Sequence, residues 1–210
     1  MAEQLARKIE QIVRKVSGIA HGPVVLHEPF FNGNERQYVT DCIDTNWVST
    51  VGKYVNLFEQ LISRTTGAKH AIATINGTAA LHICLLLAGV QPGDEVLMQA
   101  LTFVASANAI AYCNATPHFV DVNRTSMGIC PDKLREHLKS ACEIKDGVLH
   151  NRSTGRPIRA LMVMHTFGHP SQLDVLKQVC DEFSLKLIED AAEAIGSEYN
   201  GRHVGNIGLL

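Results

Sequence analysis

The chain reads as an α/β protein with a mainly parallel sheet covered by helices on both faces. From Ala71 onward, short apolar runs alternate with helical patterns, a spacing that builds parallel strands joined by crossover helices. Arg159 to Met164 is a nearly continuous apolar run, as expected of a strand buried on both faces. The apolar strand Leu185 to Glu189 leads straight into a further carboxylate, Asp190. Open α/β sheets bind their ligands at such strand ends.

Each element follows from local signals. Leu5, Ile9, Ile12, Val13 and Val16 mark an amphipathic helix, expected to pack its stripe on the protein body. Arg7, Lys8, Glu10, Arg14 and Lys15 interrupt any apolar run there, so a secretory signal is not expected. Gly18 to Pro29 reads as irregular chain. Asn34 or Asn32 can cap a helix through Glu35, Tyr38, Val39, Cys42 and Ile43. Trp47 to Gly52 is a loop, and a further helix carries Val55, Phe58, Leu61 and Ile62 and ends near Gly67. Ala71 to Ile75 is a short strand, Thr78 to Ala88 a helix, and Pro92-Gly93-Asp94 a turn into strand Glu95 to Met98. A helix around Phe103 to Tyr112 and strand His118 to Val122 follow. Pro131 suits the first turn of a helix reaching Leu138. Ala141 to Arg156 is polar, with turn signals at Asp146-Gly147 and Thr154-Gly155, and reads as a surface excursion or small hairpin. After Arg159 to Met164, Ser171 caps a helix from Leu173 to Phe183, and Leu185 to Glu189 is the next strand.

With 210 residues, 46% of them apolar, the chain can form one sizeable globular domain. Such a domain buries roughly 70% of the surface its unfolded chain exposes. The net charge of −2, without blocks of like charge, argues against a nucleic-acid partner. No segment is long and apolar enough to span a bilayer. The 6 cysteines lack C-x-x-C spacing; Cys84, Cys113 and Cys180 fall on apolar helical faces, which points to buried free thiols and a reducing cytoplasm. His165 and His169 are the best metal pair, but they flank Gly168, precede Pro170 and do not share a helix face, so no metal site is expected.

Two segments carry chemistry. In Asn76-Gly77-Thr78-Ala79-Ala80-Leu81, Gly77 lets backbone approach an anion, Thr78 offers a hydroxyl and an N-cap, and free N–H groups of the following helix can hold a phosphate. The alternative is an ordinary capped helix. No G-x-G-x-x-G and no P-loop pattern is present, so a nucleotide-binding fold of either kind is unsupported. In the second segment, Asp190 suits a cationic partner such as a protonated pyridine nitrogen, or else it caps a short helix Ala191 to Ala194. Glu193, about one turn on, reaches the same side of a bound ring or is simply a solvated carboxylate. Together they suggest a phosphorylated ring cofactor.

From about Phe31 onward the chain resembles the DegT/DnrJ/EryC1/StrS family of pyridoxal-phosphate sugar aminotransferases. The resemblance rests on Trp47 to Gly52, Phe58-Glu59, Asn76 to Leu81, Gly93 to Val96, Leu101 to Val104, Phe119 to Val122, Met164 to Pro170 and Glu189 to Glu193, in that order. It implies the fold-type I, aspartate aminotransferase-like large domain, with an N-terminal helical segment and substrate-side loop over residues 1–66 and the cofactor-binding domain over 67–210. The insert Asn151 to Ile158 and the stretch Thr166 to Pro170 look most like the LegC branch, which aminates C4 of a nucleotide-linked 4-keto-6-deoxy amino sugar on the way to legionaminic or related nonulosonic acids. The implied cofactor is pyridoxal 5′-phosphate. Gly77, Thr78 and Ala79 would bind its phosphate, Phe103 would stack on its ring, Asp190 would pair with the pyridine nitrogen, and Glu193 would sit near the ring hydroxyl. Ser49, Thr50 and His165 would face the substrate, although His165 also reads as a satisfied core histidine. The implied partners are a nucleotide sugar, an amino-acid donor (glutamate) and a second copy of the chain, in the cytoplasm.

The resemblance further implies that the Schiff-base lysine lies beyond the turn Gly205 to Gly208, with the last sheet strands and the small C-terminal domain. The domain is then expected to be incomplete at its C-terminus and the 210-residue chain alone to be inactive. Competing readings are the same-fold dehydratase branch, where histidine replaces that lysine, and a non-catalytic fragment or pseudoenzyme. A dehydrogenase is disfavoured by the missing glycine fingerprint.

Overall fold

A computed structural model describes residues 2–25 and 29–209. Residues 26–28 of the expected irregular stretch lie outside the described residues. The chain divides into two units, Met1–Thr50 and Val51–Leu210. In the first, α1 (Ala2–Ser17) and α2 (Glu35–Asp44) are the helices. The stripe of α1 is not packed away: Leu5, Ile9, Ile12, Val13 and Val16 are exposed. The returning chain, Gly22 to Val24, lines a groove with Ile9 and Val13. Arg14 holds that return by donating from Nη1 to the Gly22 carbonyl at 3.1 Å.

The second unit opens with α3 (Lys53–Thr66), closed by Gly67 in the left-handed region. There follow α4 (Gly77–Leu87), β1 (Glu95–Gln99), α5 (Val104–Tyr112), β2 (Thr116–Val120), α6 (Pro131–Ala141), β3 (Cys142–Lys145), β4 (Val148–Asn151), β5 (Pro157–Met164), α7 (Leu173–Glu182) and β6 (Lys186–Asp190). A small antiparallel pair, β7 (Glu198–Tyr199) and β8 (Arg202–His203), comes last. The strands β2-β1-β5-β6 are parallel neighbours. The β3–β4 hairpin joins the start of β5 antiparallel, through Leu149↔Ile158 and His150↔Pro157. Connections leave β1 toward β2 and return to β5 on the other side, so the chain switches direction between β1 and β5. A crevice opens at the carboxyl ends of the strands at such a point.

Strand periodicity sorts the core into two clusters. Leu97, Leu161, Val163 and Leu187 join Leu134, Leu138, Leu173, Leu176 and Val179 from α6 and α7. Val96, Met98, Ala160, Met162 and Ile188 join Leu81, Leu85, Ala109 and Ile110 from α4 and α5. Successive strand residues point to opposite faces, so the runs Val96 to Met98, Ala160 to Met164 and Leu187-Ile188 are apolar on both sides because both faces are covered there.

Several expected elements differ. Residues 71–75 form no strand: Ile72 is 80% and Ile75 92% exposed, and no strand among the described residues pairs with them. The Ala73 N–H instead donates to Glu59 Oε1 at 2.8 Å. β2 begins two residues early, and Val122 is left in an isolated bridge with Ile129. Residues 191–194 make a turn, closed by Ala194 N–H on the Ala191 carbonyl at 2.9 Å, rather than a short helix. Ser171 does not cap α7: Gln172 holds that position, and the buried Ser171 hydroxyl has no hydrogen-bond partner among the described residues. The polar excursion is a hairpin whose turn, Asp146 (φ 50°) and Gly147 (φ 77°), has both central residues left-handed, as a tight two-residue connection needs.

Candidate active site

At the carboxyl ends of β5 and β6 lies a cavity of about 360 Å³, lined by Asn76, Gly77, Thr78, Leu81, Phe103, Ala105, Met164, Asp190, Ala192 and Glu193. Pockets for small ligands start at about this size. A larger cavity, about 510 Å³, opens at the other end of the strands around Arg159 and Lys186. The Arg159 guanidinium is already paired with Asp94 at 2.9 Å there, and ligand chemistry in parallel sheets belongs to the carboxyl ends.

One wall is the first turn of α4. Asn76, with extended backbone, is the N-cap, and its Oδ1 accepts the Ala79 N–H at 2.8 Å. The cap is therefore Asn76 rather than Thr78, and the Ala79 N–H is already engaged. Gly77 and Thr78 keep N–H groups with no partner among the described residues. A side chain at Gly77 would meet nothing within 4 Å, so its bare backbone faces open space. Two uncommitted donors at a positive helix end make a seat for an anion.

The opposite wall ends in Asp190, the last residue of β6, only 5% exposed. Its parity matches Ile188, so it turns to the α4 and α5 side. Oδ2 accepts the Ser106 hydroxyl at 2.7 Å and Oδ1 the Ala192 N–H at 3.3 Å. No cation among the described residues pairs with this buried carboxylate. Burying a carboxylate without a counter-charge is costly, so the site suits a cationic group from a ligand. Between these walls Phe103 stands as the N-cap residue of α5 rather than within the helix, and the residue is 67% exposed. Glu193 Oε2 accepts the Phe167 N–H at 2.9 Å, which braces the tight turn Thr166–Gly168 after β5.

Gly77, Thr78, Phe103, Asp190 and Glu193 thus meet around one cavity; Ala79 supports it from the second layer of the helix turn. His165 is not on its wall. It is fully buried, its Nδ1 accepts the Ser171 N–H at 3.3 Å, and Nε2 therefore carries the proton and donates to Glu189 Oε2 at 3.2 Å. Ser49 and Thr50 lie on an exposed bend of the first unit.

Glu189 is the counterpart of Asp190 on the other face. Beside His165 it accepts Gly205 N–H on Oε2 and Ile207 and Gly208 N–H on Oε1, at 2.8, 2.8 and 2.5 Å. Burial opposes its charge, but these donors, His165 foremost, outweigh it and hold the carboxyl below its ordinary range. Sequence reasoning missed Ser106, Thr102 and Met164. A serine set between Ala105 and Ala107 in the first turn of α5 was the available signal.

Among the described residues no group of three or more His, Cys, Asp or Glu side chains gathers as a metal site, and no helix is long and apolar enough to cross a membrane. All six cysteines are free, and burial pushes the Cys180 thiol up to about 12.

A mainly parallel α/β sheet with an anion seat and a buried carboxylate at its carboxyl edge defines a ligand-binding α/β protein. Residues 30–210 match the DegT/DnrJ/EryC1/StrS aminotransferase family, and the chain belongs to it. It is 37% identical over 185 residues to a GDP-perosamine synthase of Vibrio cholerae, covering 88% of this chain and 46% of that protein. It is 39% identical over 180 residues to the GDP-perosamine synthase of Caulobacter vibrioides, covering 86% and 44%. Among solved structures it superimposes on DesI, determined in the presence of its TDP-sugar product, with a TM-score of 0.73, 29% identity and coverage of 90% and 44%. For 3-amino-5-hydroxybenzoic acid synthase the values are 0.72, 26%, 89% and 45%. The chain spans less than half the length of these relatives.

Proposed function

We propose that this chain is the cofactor-binding part of a pyridoxal-5′-phosphate-dependent aminotransferase that acts on a nucleotide-linked sugar. The observation that carries the proposal is the buried, cation-free carboxylate of Asp190, sharing one cavity with the open N–H groups of Gly77 and Thr78. The chemistry at its two ends matches a ligand with a phosphate at one end and a basic ring nitrogen at the other. When bound, pyridoxal phosphate supplies a reactive carbonyl and an electron-withdrawing ring, the means by which an amino group passes between carbon skeletons.

The chain's residues have the following roles in this reading. Gly77 and Thr78 hold the phosphate through backbone N–H groups, with Ala79 and Asn76 fixing the turn that presents them. Asp190 stays ionised and keeps the ring nitrogen protonated. Phe103 covers one ring face, and Glu193 reaches the ring's polar edge while bracing Phe167. Ser49 and Thr50 belong to the substrate-side segment, residues 1–66, while 67–210 form the cofactor domain. His165 takes no substrate role here, because its ring is buried and both nitrogens are engaged.

The relatives named GDP-perosamine synthase support a nucleotide-linked amino sugar as product. Position C4 of a 4-keto-6-deoxy sugar, glutamate as donor, and a place in legionaminic or related nonulosonic acid synthesis rest on the resemblance to the LegC branch. Assay of GDP- and UDP-linked 4-keto sugars separates these. A cytoplasmic homodimer is the matching setting.

No lysine lines the cavity. Titrating the 210-residue chain with pyridoxal phosphate should therefore give saturable binding, seen in its absorption spectrum, that borohydride does not make permanent. Asp190→Ala should weaken that binding by about tenfold or more. Absence of saturable binding by the unaltered chain, or equal binding by the variant, would overturn the proposal.

A further inference from the structure

We infer that Ser106 is a positioning residue that aims the Asp190 carboxylate into the cavity; this rests on the cofactor reading above. Ser106 sits on α5, faces the sheet and is 1% exposed. It does not line the cavity, so any effect it has on a ligand passes through Asp190. Its hydroxyl lies 2.7 Å from Asp190 Oδ2 and 2.7 Å from Thr102 Oγ1.

Counting protons gives the chain a direction. An ionised carboxylate only accepts, so the single Ser106 proton goes to Asp190, and the Thr102 hydroxyl then donates to Ser106. The other contact of Thr102, Met164 Sδ at 3.1 Å, offers only a weak acceptor in competition. Thr102 lies in the bend just ahead of Phe103, the N-cap of α5, and that bend brings its hydroxyl onto Ser106 in the first turn. The chain of bonds therefore runs from Thr102 through Ser106 and stops at Oδ2. Oδ1 is left with one longer contact, the Ala192 N–H at 3.3 Å, and has capacity for a cation. One short bond on Oδ2 and one longer bond on Oδ1 fix the rotation of the carboxylate before a ligand arrives, as preorganised sites require.

The cost of Ser106 points the same way. A buried hydroxyl in an apolar helix is unfavourable unless it is hydrogen-bonded, and alanine, the residue of positions 105 and 107, would pack there without that cost. A serine that merely tethered α5 to β6 would lower stability when removed, and would do so whether or not residue 190 is charged. A positioning serine makes a different mark: its removal weakens ligand binding only while the Asp190 charge is present.

The deciding experiment measures the dissociation constant of pyridoxal phosphate for the unaltered chain, S106A, S106T, D190N and S106A/D190N, each shown to be folded by its melting curve. Binding by S106A should weaken by about tenfold, the worth of one charge-assisted hydrogen bond. S106T should recover most of it, and S106A should change D190N by no more than about twofold. If S106A binds like the unaltered chain, or weakens D190N as much as it weakens the unaltered chain, Ser106 is a tether and the inference falls. Failure of the unaltered chain to bind at all would remove the cofactor reading itself, with this inference. That outcome is distinct because unaltered chain and D190N would then behave alike.

Discussion

A carboxylate inside a protein stays charged only if enough donors surround it, and Glu189 collects four, from His165, Gly205, Ile207 and Gly208. Since its carboxyl is held below the ordinary value of 4.5, the unfolded chain takes up a proton at higher pH than the folded one. The stabilisation is fully present above that value and is lost as pH falls through the lower folded value. Glu189→Gln should therefore cost on the order of 1.5–3 kcal/mol at pH 7. Urea melts of both chains should show the gap closing below about pH 4, and a gap independent of pH would refute this role. The placing of Asp190 at a strand end and of Gly77 and Thr78 at a helix start was legible in the sequence, because these are local features. His165 was legible too, had strand parity been carried one residue past Met164. It shares the side of Val163, the α6 and α7 face, rather than that of Met162. Ser106 showed in the sequence only as a serine between alanines; what it does is set by a contact 84 residues away, which no local signal carries.

Elements were read well where their signals are internal and poorly where a partner decides. α4, α5, α6, α7 and the apolar strands β1, β5 and β6 follow from apolar periodicity and, for α6, Pro131, although the caps expected at Thr78 and Ser171 lie instead at Asn76 and Gln172. Residues 71–75 have strand-like composition, but a strand exists only through pairing, and none is present. Turn chemistry can be tested at two glycines. A Cβ placed on Gly147 (φ +77°) would meet nothing within 4 Å, whereas on Gly168 (φ +80°) it would lie 2.8 Å from the Glu193 carbonyl oxygen. Gly147→Ala should cost roughly 1–2 kcal/mol from left-handed strain alone. Gly168→Ala should cost roughly 2–4 kcal/mol, because the turn must also move away from Glu193. Denaturation midpoints compare the two; equal losses would mean the Glu193 backbone yields freely.

At the scale of the molecule, the second unit buries its sheet well yet leaves much apolar surface outside. Ile72 and Ile75 are exposed, as are Ile83, Leu86 and Leu87 along α4 and Phe58 and Leu61 on α3. Patches of this kind on one unit favour association. Sedimentation of the 210-residue chain should therefore show mass rising with concentration. A monomer at all concentrations, with a sharp two-state melt, would count against that expectation. Fold class was legible at this scale because alternation of strand and helix leaves few architectures open.

The neighbours Glu189 and Asp190 also set what this chain can tolerate in length. Adding or removing one residue inside β6 would exchange the two compartments, sending the longer acid toward the cavity and the shorter one toward the Gly205 to Gly208 turn. Both acids would survive such a change in composition, and both would be in the wrong place. A change of length is better borne at the Asp146-Gly147 turn between β3 and β4, where an extra residue lengthens a surface loop.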